Sequence, residues 1–586
     1  MRIRWLGRVP YREAWALQRS LCDLSQDDYL LMLEHNHVYT LGSHADVGHV
    51  LIDPASVGAD TVKTDRGGDV TYHGPGQLVG YPIVTVGAGP HRGPEHVHRV
   101  EQVVIDALVA LGIRPGTVGR LAGFPGVWVG LDEPDPYAEA GAEHGGNGPR
   151  KICAIGVRTT HGRTMHGFAL NAHPDLSMFD HIVPCGITDK PVTSLLAEGI
   201  DVPMSEVVDA VIDASLAMWG PLQDIQRVTD GVGVDGIAGG DGPDTRSDGI
   251  RVSVALSRPS TGERSLARRL RRSGVDPDAG LAVNERKPEW LRVQAHMGND
   301  YLGLRHQLRD LNLVTVCEEA GCPNIYECWS DGTATFMING SRCTRACGFC
   351  QVDTRHPLPL DPDEPERVSE AVARMGLAHA VITCVARDDL DDGGAGGFAE
   401  AIEAVRRRSP RTTVEVLISD CKGSESSLRT IFDVRPDVMN HNIETVARLQ
   451  RAVRPSAGYA RSLAVLARAK DAGLTTKSGM TLGMGEREDE VLATLADLRA
   501  VGVDIVTMGQ YLRPSTHHLP VARWWRPEEF AFLRDAGMAM GFNHVQASPL
   551  TRSSYHAREA AESSSPGATG TRVEIAASAS TRVKVL

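Results

Sequence analysis

The chain has 586 residues, 42% of them hydrophobic, and a formal net charge of −13 at pH 7, which predicts two large domains or three to four smaller ones with substantial cores. The acidic balance argues against general nucleic-acid binding, and no run of about 18 apolar residues is present to span a membrane. The opening stretch MRIRWLGRVPYREAW lacks the apolar segment of a secretion signal, and eleven cysteines with metal-type spacings predict a reducing, cytoplasmic compartment.

In chain order, the first motif is RGGDVTYHGPGQLVGYPIV at residues 66–84, a Gly-rich loop running into an apolar strand. Glycine lets backbone approach a ligand without a Cβ in the way. Residues 132–148 are low in complexity and read as a surface insertion. KICAIGVR (151–158), HGFALN (166–171) and VPCGI (183–187) follow. A cysteine in a Pro-Cys-Gly turn is exposed, and a nearby ammonium would favour its thiolate. Taken singly, Cys185 reads as a buried structural thiol and Lys151 as a solvated charge. Together the motifs resemble the lipoyl(octanoyl) transferases over residues 11–222. The resemblance implies an α+β domain like the biotin and lipoate protein ligases, with Cys185 as acyl-thioester nucleophile and Lys151 as the group that activates it. It assigns substrate binding to Arg66, Gly67, Gly68, Asp69, Val70, Thr71, Tyr72 and His73, to Ala154, Ile155 and Gly156, and to Gly167, Phe168 and Ala169. Octanoyl would pass from acyl carrier protein to Cys185 and then to a lipoyl-domain lysine. His166 is expected to order the pocket, and His73 either to order it or to shuttle protons. An ATP-dependent lipoate ligase, which needs no acyl-cysteine, is the alternative for this half.

The Gly- and Asp-rich run 229–249 has almost no large apolar side chain and reads as linker. The expected boundaries are a first domain at 1–225, a flexible linker at 226–285, a second domain at 286–560 and a mobile tail at 561–586. Within the linker, RSLARRLRRS at 264–273 reads either as a solvated helix face or as a dock for an acidic partner. Beyond it, apolar runs at 334–339, 379–383, 412–418, 437–442, 475–482 and 504–508 alternate with helical patterns. Six such units predict an α/β domain, a partial (β/α)6 barrel with its site at the strand C-termini.

Two cysteine triplets flank the first of these strands: Cys317, Cys322 and Cys328 (C-x4-C-x5-C), then Cys343, Cys347 and Cys350 (C-x3-C-x2-C). A three-cysteine loop leaves one corner of a 4Fe-4S cube open for chemistry. Structural zinc favours four ligands in C-x2-C pairs, and plain ferredoxins use C-x2-C-x2-C-x3-C-P. The second triplet resembles the radical S-adenosylmethionine (SAM) enzymes. VCEEAGCPNIYECW (316–329), TCVARDDLDDGG (383–394), HNIETV (441–446), TKSGMTLGMGE (476–486), GQYLRPS (509–515) and RSSY (552–555) narrow the resemblance to lipoyl synthases over about residues 286–557. That resemblance implies two 4Fe-4S clusters, one held by Cys343, Cys347 and Cys350 with SAM. The other is an auxiliary cluster on Cys317, Cys322, Cys328 and Ser554, with Ser553 the second choice. The implied reaction inserts two sulfurs at carbons 6 and 8 of a protein-bound octanoyl chain. Partners would be lipoyl domains of 2-oxoacid dehydrogenases and glycine cleavage H protein, and an electron donor such as ferredoxin or flavodoxin. Cys384 and Cys421 depart from the family pattern and read as small core side chains. An iron-sulfur scaffold is the non-enzymatic alternative for the whole.

Overall fold

The computed structural model describes residues 1–87, 89, 91–131, 148–187, 190–229, 261–283, 285–292, 311, 313–315, 324–330 and 333–564. The stretch 132–147, the linker segment 230–260, Cys317, Cys322 and the tail beyond 564 lie outside the described residues.

The first half is an α+β domain. Its strands are β1 (Arg2–Arg8), β2 (Tyr29–Glu34), β3 (Val38–Leu41), β4 (Asp60–Lys63), β5 (Val70–His73), β6 (Gln77–Ile83), β7 (Val118–Leu121), β8 (Phe124–Val129), β9 (Arg150–Thr160), β10 (Arg163–Asn171) and β11 (Asp224–Arg227). Eight form one sheet in the order β11-β1-β2-β6-β10-β9-β8-β7, and β4-β3-β5 form a small second sheet. Helix α1 (Tyr11–Leu24) makes the crossover between the parallel strands β1 and β2, while α2 (Arg92–Ala110) and α3 (Met204–Trp219) cover the opposite face. The run YLLML in β2 has no polar alternation because both its faces are buried. Tyr29, Leu31 and Leu33 point into the α1 side, and Leu30 and Met32 into the α2 and α3 side.

The stretch expected as linker is docked wherever it is described. Thr229 donates its hydroxyl to Arg448 O at 3.0 Å, and residues 261–272 form helix α4 (Thr261–Arg272). Leu266 and Leu270, one turn apart, face the core while Arg268, Arg271 and Arg272 are exposed. Leu281 then bridges to Val521. A charge-rich segment with two leucines at helical spacing is an amphipathic helix, which the composition alone had obscured.

The second half is an α/β sheet in the order β12-β13-β14-β15-β16-β17-β18-β19, with β12 (Val314–Thr315), β13 (Thr333–Ile338), β14 (His379–Cys384), β15 (Thr413–Leu417), β16 (Val438–Asn440), β17 (Thr476–Leu482), β18 (Ile505–Gln510) and β19 (His544–Ala547). Helix α5 (Ile325–Ser330) precedes β13. The crossovers carry α6 (Glu364–Met375), α7 (Ala395–Arg408), α8 (Glu425–Asp433), α9 (Gln450–Val453), α10 (Tyr459–Asp471), α11 (Glu488–Ala500) and α12 (Pro527–Ala539), and α13 (Ala557–Ser564) follows β19. All pairings are parallel except β12 with β13. The six predicted strands are β13 to β18; the sheet gains β19 and the short antiparallel β12 at its edges.

The halves share one continuous apolar core, in which α1 packs on α10. Arg4, on the opposite side of β1 from Ile3 and Trp5, places its Nε 2.8 Å from both carboxylate oxygens of Asp497 in α11. Tyr459 donates to the same carboxylate at 2.9 Å. At the other edge, Arg461 Nε meets Glu13 of α1 at 2.8 Å.

Candidate functional site

In the first half, the loop before β5, β5 itself, β9 and β10 meet at one cleft. Arg66, Gly68, Thr71 and His73 line it on one side, and Ala154, Ile155, Gly156, Gly167, Phe168 and Ala169 on the other. Tyr11, Val79, Tyr81 and His166 complete the wall; Tyr11 comes from α1 and belongs to no motif, while Tyr81, on β6, lies near the end of the first motif without having been assigned to the site. Alternation along β5 splits the Gly-rich motif. Thr71 and His73 face the cleft, whereas Val70 and Tyr72 join a small core with Tyr39 and Phe179. Gly67 and Asp69 also lie off the lining: Gly67 donates its N–H to Val157 O at 3.1 Å, and Asp69 lies 2.5 Å from His49 Nδ1. Where β10 runs beside β6, a Cβ on Gly167 would sit 2.1 Å from Gly80 O, so only glycine fits that approach.

Polar groups in the cleft are held by buried partners. The Arg66 guanidinium donates to Thr40 O at 2.6 Å and Gly67 O at 3.1 Å. Burial holds His73 well below the usual histidine range, with His35 and Arg66 adding to the effect. The neutral ring meets Gln77 Oε1 at 2.8 Å, and Gln77 passes the chain to Asn171 at 2.9 Å. His166 adopts φ +60°, a conformation β-strand residues other than glycine seldom take. Its Nε2 lies 2.7 Å from Asp65, while its buried Nδ1 has no hydrogen-bond partner among the described residues. Burial lowers its pKa more than Asp65 raises it. An uncharged imidazole with a free acceptor nitrogen therefore borders the cleft.

Lys151 is buried on β9 with its ammonium 5.0 Å from the Trp128 ring centre, a cation–π arrangement. Its backbone bonds both ways with the stretch that follows the cysteine turn: Lys151 N–H to Pro191 O and Thr193 N–H to Lys151 O, both 2.9 Å. Lys190, beside that stretch, lies 4.8 Å from the Phe124 ring on the same strand as Trp128. The Cys185 backbone sits in a 3-10 turn, Pro184–Gly186; its side chain lies outside the described residues. The turn is seated on the Gly-rich loop, since a Cβ at Gly186 would lie 3.1 Å from Asp69 Oδ2.

In the second half, β13 runs into the loop that carries Cys343, Cys347 and Cys350. Cys343 Sγ accepts backbone N–H groups from Arg345 at 3.4 Å and Ala386 at 3.3 Å. Arg345 is clamped by Asp388 at 2.7 Å and the buried Asp420 at 2.6 Å. The far side of the loop is tied by Gly348 N–H to Val453 O at 2.8 Å and by His518 Nε2 to Cys350 O at 3.0 Å. Burial pushes the Cys347 thiol up to about 12 and raises Cys350. Two buried thiols that resist ionisation beside Cys343, whose sulfur accepts two N–H groups, fit a cationic iron-sulfur group that would hold all three as thiolates. Among the described residues, no three His, Cys, Asp or Glu side chains converge as ligands of one metal ion would.

Cys328, on α5, is half-buried, and the 550–555 segment lies against this helix. Asn324 donates to Leu550 O at 2.7 Å, and Tyr555 donates to Glu327 at 3.2 Å. Asn442, beyond the end of β16, donates to Ser553 Oγ at 2.8 Å. Cys421 is buried and Cys384 half-buried. Deep in the sheet, Lys477 and Glu415 form a fully buried pair at 2.9 Å, which no motif had indicated.

Residues 10–215 match the family described as the lipoyl protein ligase A/B catalytic domain. Residues 276–322 match the N-terminal domain of lipoyl synthase of the radical SAM family, and 337–498 the radical SAM superfamily. A lipoyl synthase of Rubrobacter xylanophilus is 55% identical over 288 residues, 49% of this chain and 90% of that protein. One from Halalkalibacterium halodurans is 55% identical over 277 residues, 47% of this chain and 91% of the relative. Among solved structures, a bi-partite lipoate protein ligase from Thermoplasma acidophilum aligns with a TM-score of 0.31 at 18% identity, covering 38% of this chain and 87% of that one. Streptococcus suis SuiB aligns with a TM-score of 0.31 at 10% identity, covering 38% and 53%. The chain belongs to the lipoyl synthase family and carries a lipoyl protein ligase A/B catalytic domain in front of it, a fusion of two catalytic units of lipoate biosynthesis.

Proposed function

We propose that residues 1–225 act as an octanoyltransferase that moves octanoyl from acyl carrier protein to a lipoyl-domain lysine by way of Cys185. The Cys185 thiolate attacks the carrier thioester and releases the carrier thiol; the lysine amine then attacks the acyl-cysteine and frees Cys185 again. Lys151 supplies the positive charge that favours thiolate, and His166 Nδ1 is an acceptor for the proton lost by the incoming amine. The single observation that carries this reading is the seating of the Cys185 turn. The turn lies against Asp69 of the Gly-rich loop, and the stretch just after it pairs with the Lys151 backbone, which supports a nucleophile and activator held on neighbouring chain. A two-step acyl-enzyme needs no ATP, so intact mass after incubation with octanoyl-acyl carrier protein alone tests it. One octanoyl adduct is expected, absent from Cys185→Ala; transfer by that variant, or dependence on ATP, favours the ligase. Lys151→Ala slows adduct formation and recovers in part at higher pH, because the thiol then ionises without help.

Residues 286–560 complete the pathway by sulfur insertion at carbons 6 and 8, with two clusters and an external electron donor. When bound, one cluster with SAM supplies hydrogen abstraction and the auxiliary cluster supplies sulfur. Cys343, Cys347 and Cys350 hold the first. The N–H groups of Arg345 and Ala386 offset negative charge on sulfur, and the Asp388 and Asp420 clamp fixes the loop. Cys317, Cys322, Cys328 and Ser554 hold the second. The partners are lipoyl domains, including those of 2-oxoacid dehydrogenases and H protein, and the setting is cytoplasmic.

A further inference from the structure

The cysteine loop that follows β13 is covered from outside by α4 and α9. A methyl added at Gly348, between Cys347 and Cys350, would lie 2.8 Å from Leu519 Cγ and 3.5 Å from Leu266 Cδ1 of α4. Gly348 also donates its N–H to Val453 O in α9. The outward surface over this contact is cationic. Arg268, Arg271 and Arg272 of α4 and Arg451 of α9 are exposed, the two helices are in contact, and the half-buried Arg269 is held below the usual arginine range by burial and, after it, by the charge of Arg451. Asp278 pairs with Arg271 at 2.6 Å and Glu490 with Arg448 at 2.6 Å, so that among the described residues Arg268, Arg272 and Arg451 have no ion pair. On a chain of net charge −13, this cluster is a local patch of the opposite sign, which would steer an anionic surface toward it. Its helix is about one diameter, on the order of 10 Å, thick, so whatever docks there lies within that distance of the Cys347–Cys350 backbone.

We propose that Arg268, Arg272 and Arg451 form the docking surface for a small acidic one-electron carrier protein that reduces the metal group of the cysteine loop. This rests on the radical SAM reading given above. In the step concerned the carrier loses one electron and the metal group gains it; no proton or bond is exchanged. Charge complementarity sets encounter and orientation, and α4 supplies the spacing. An acyl carrier protein is also acidic, but the surface abuts the cysteine loop and none of its residues lines the transferase cleft.

The test uses the full cluster-loaded chain and its triple variant Arg268→Glu, Arg272→Glu, Arg451→Glu, with a fluorescently labelled flavodoxin as probe. Affinity at low salt should fall at least roughly tenfold in the variant, and the salt dependence of binding should flatten. The corresponding Arg→Lys triple should bind as the parent does. SAM cleavage driven by dithionite, which needs no dock, and octanoyl transfer from acyl carrier protein should match the parent in both variants. Unchanged flavodoxin binding overturns the proposal. So does a raised KM for acyl carrier protein with flavodoxin binding intact, which would give the surface to the transferase. Loss of dithionite-driven cleavage in the charge-reversed chain also overturns it, since the arginines would then be holding the loop. If the parent itself fails to cleave SAM with dithionite, the radical reading falls, and flavodoxin binding, read without cleavage, still decides the dock.

Discussion

Ser553 and Ser554 are adjacent, yet their surroundings separate them. Asn442 engages the Ser553 hydroxyl at 2.8 Å, while the Ser554 hydroxyl makes no hydrogen bond among the described residues and its carbonyl accepts from Ala557 N–H at 3.3 Å. The free hydroxyl is the better candidate for a fourth ligand beside Cys328. Ser554→Ala should therefore lose lipoyl product while retaining SAM cleavage, whereas Ser553→Ala should lower product formation only modestly; the two are compared by single-turnover product mass and by iron content. Equal losses would mean the turn, not one oxygen, matters. The motif RSSY offered both serines, and only the Asn442 contact distinguishes them. His166 shows the same limit: its sequence context gave a pocket residue, but the positive φ, the Asp65 contact and the unpartnered Nδ1 depend on how β10 lies beside distant chain.

At the scale of elements, the packing of β10 on β6 makes Gly167 a steric requirement. Gly167→Ala would place its Cβ 2.1 Å from Gly80 O and 2.7 Å from Pro82 Cδ, mostly backbone that cannot step aside. A loss of about 1–3 kcal/mol is expected, seen as an earlier unfolding transition together with loss of transfer; wild-type stability would show that β10 can shift. The strands of the second half were legible because parallel strands buried on both faces leave uninterrupted apolar runs, and all six predicted strands appear in order. β12, two residues long, and β19, His544–Ala547, carry too little pattern to be read. The 66–73 motif named the cleft but not its lining, because four of its eight residues, Gly67, Asp69, Val70 and Tyr72, lie off the wall. Helix α4 was placed in a flexible linker, as a solvated helix face or a dock, because a ten-residue arginine-rich stretch looks solvated until the spacing of Leu266 and Leu270 is weighed.

For the whole molecule, the consequence is that the halves are not beads on a string. Arg4 and Asp497, with side chains 2% and 3% exposed, form a buried ion pair that no local pattern foretold, because its members lie 493 residues apart. Removing one partner strands a charge and should cost roughly 3–5 kcal/mol, so Arg4→Met should lower the melting temperature of the full chain. Arg4→Met with Asp497→Leu should recover most of that. Cleaving the chain proteolytically between residues 230 and 260 should leave fragments that co-elute in size-exclusion chromatography. Separate elution would mean that the interface holds only while tethered. A fixed interface also means that any gain from fusion comes from two sites held in constant relation rather than from a loose tether.

The central claim is that one chain builds protein-bound lipoyl from octanoyl-acyl carrier protein. Its most direct test is anaerobic incubation of the cluster-loaded chain with octanoyl-acyl carrier protein, apo lipoyl domain, SAM and a reductant, without ATP, followed by intact mass of the lipoyl domain. The account predicts octanoyl addition to the lysine and then a species bearing two sulfurs. Cys185→Ala should stop at the unmodified domain, and joint Ala replacement of Cys317, Cys322 and Cys328 should stop at the octanoylated one. An unmodified domain with the parent chain, or sulfur insertion by the triple variant, would contradict it.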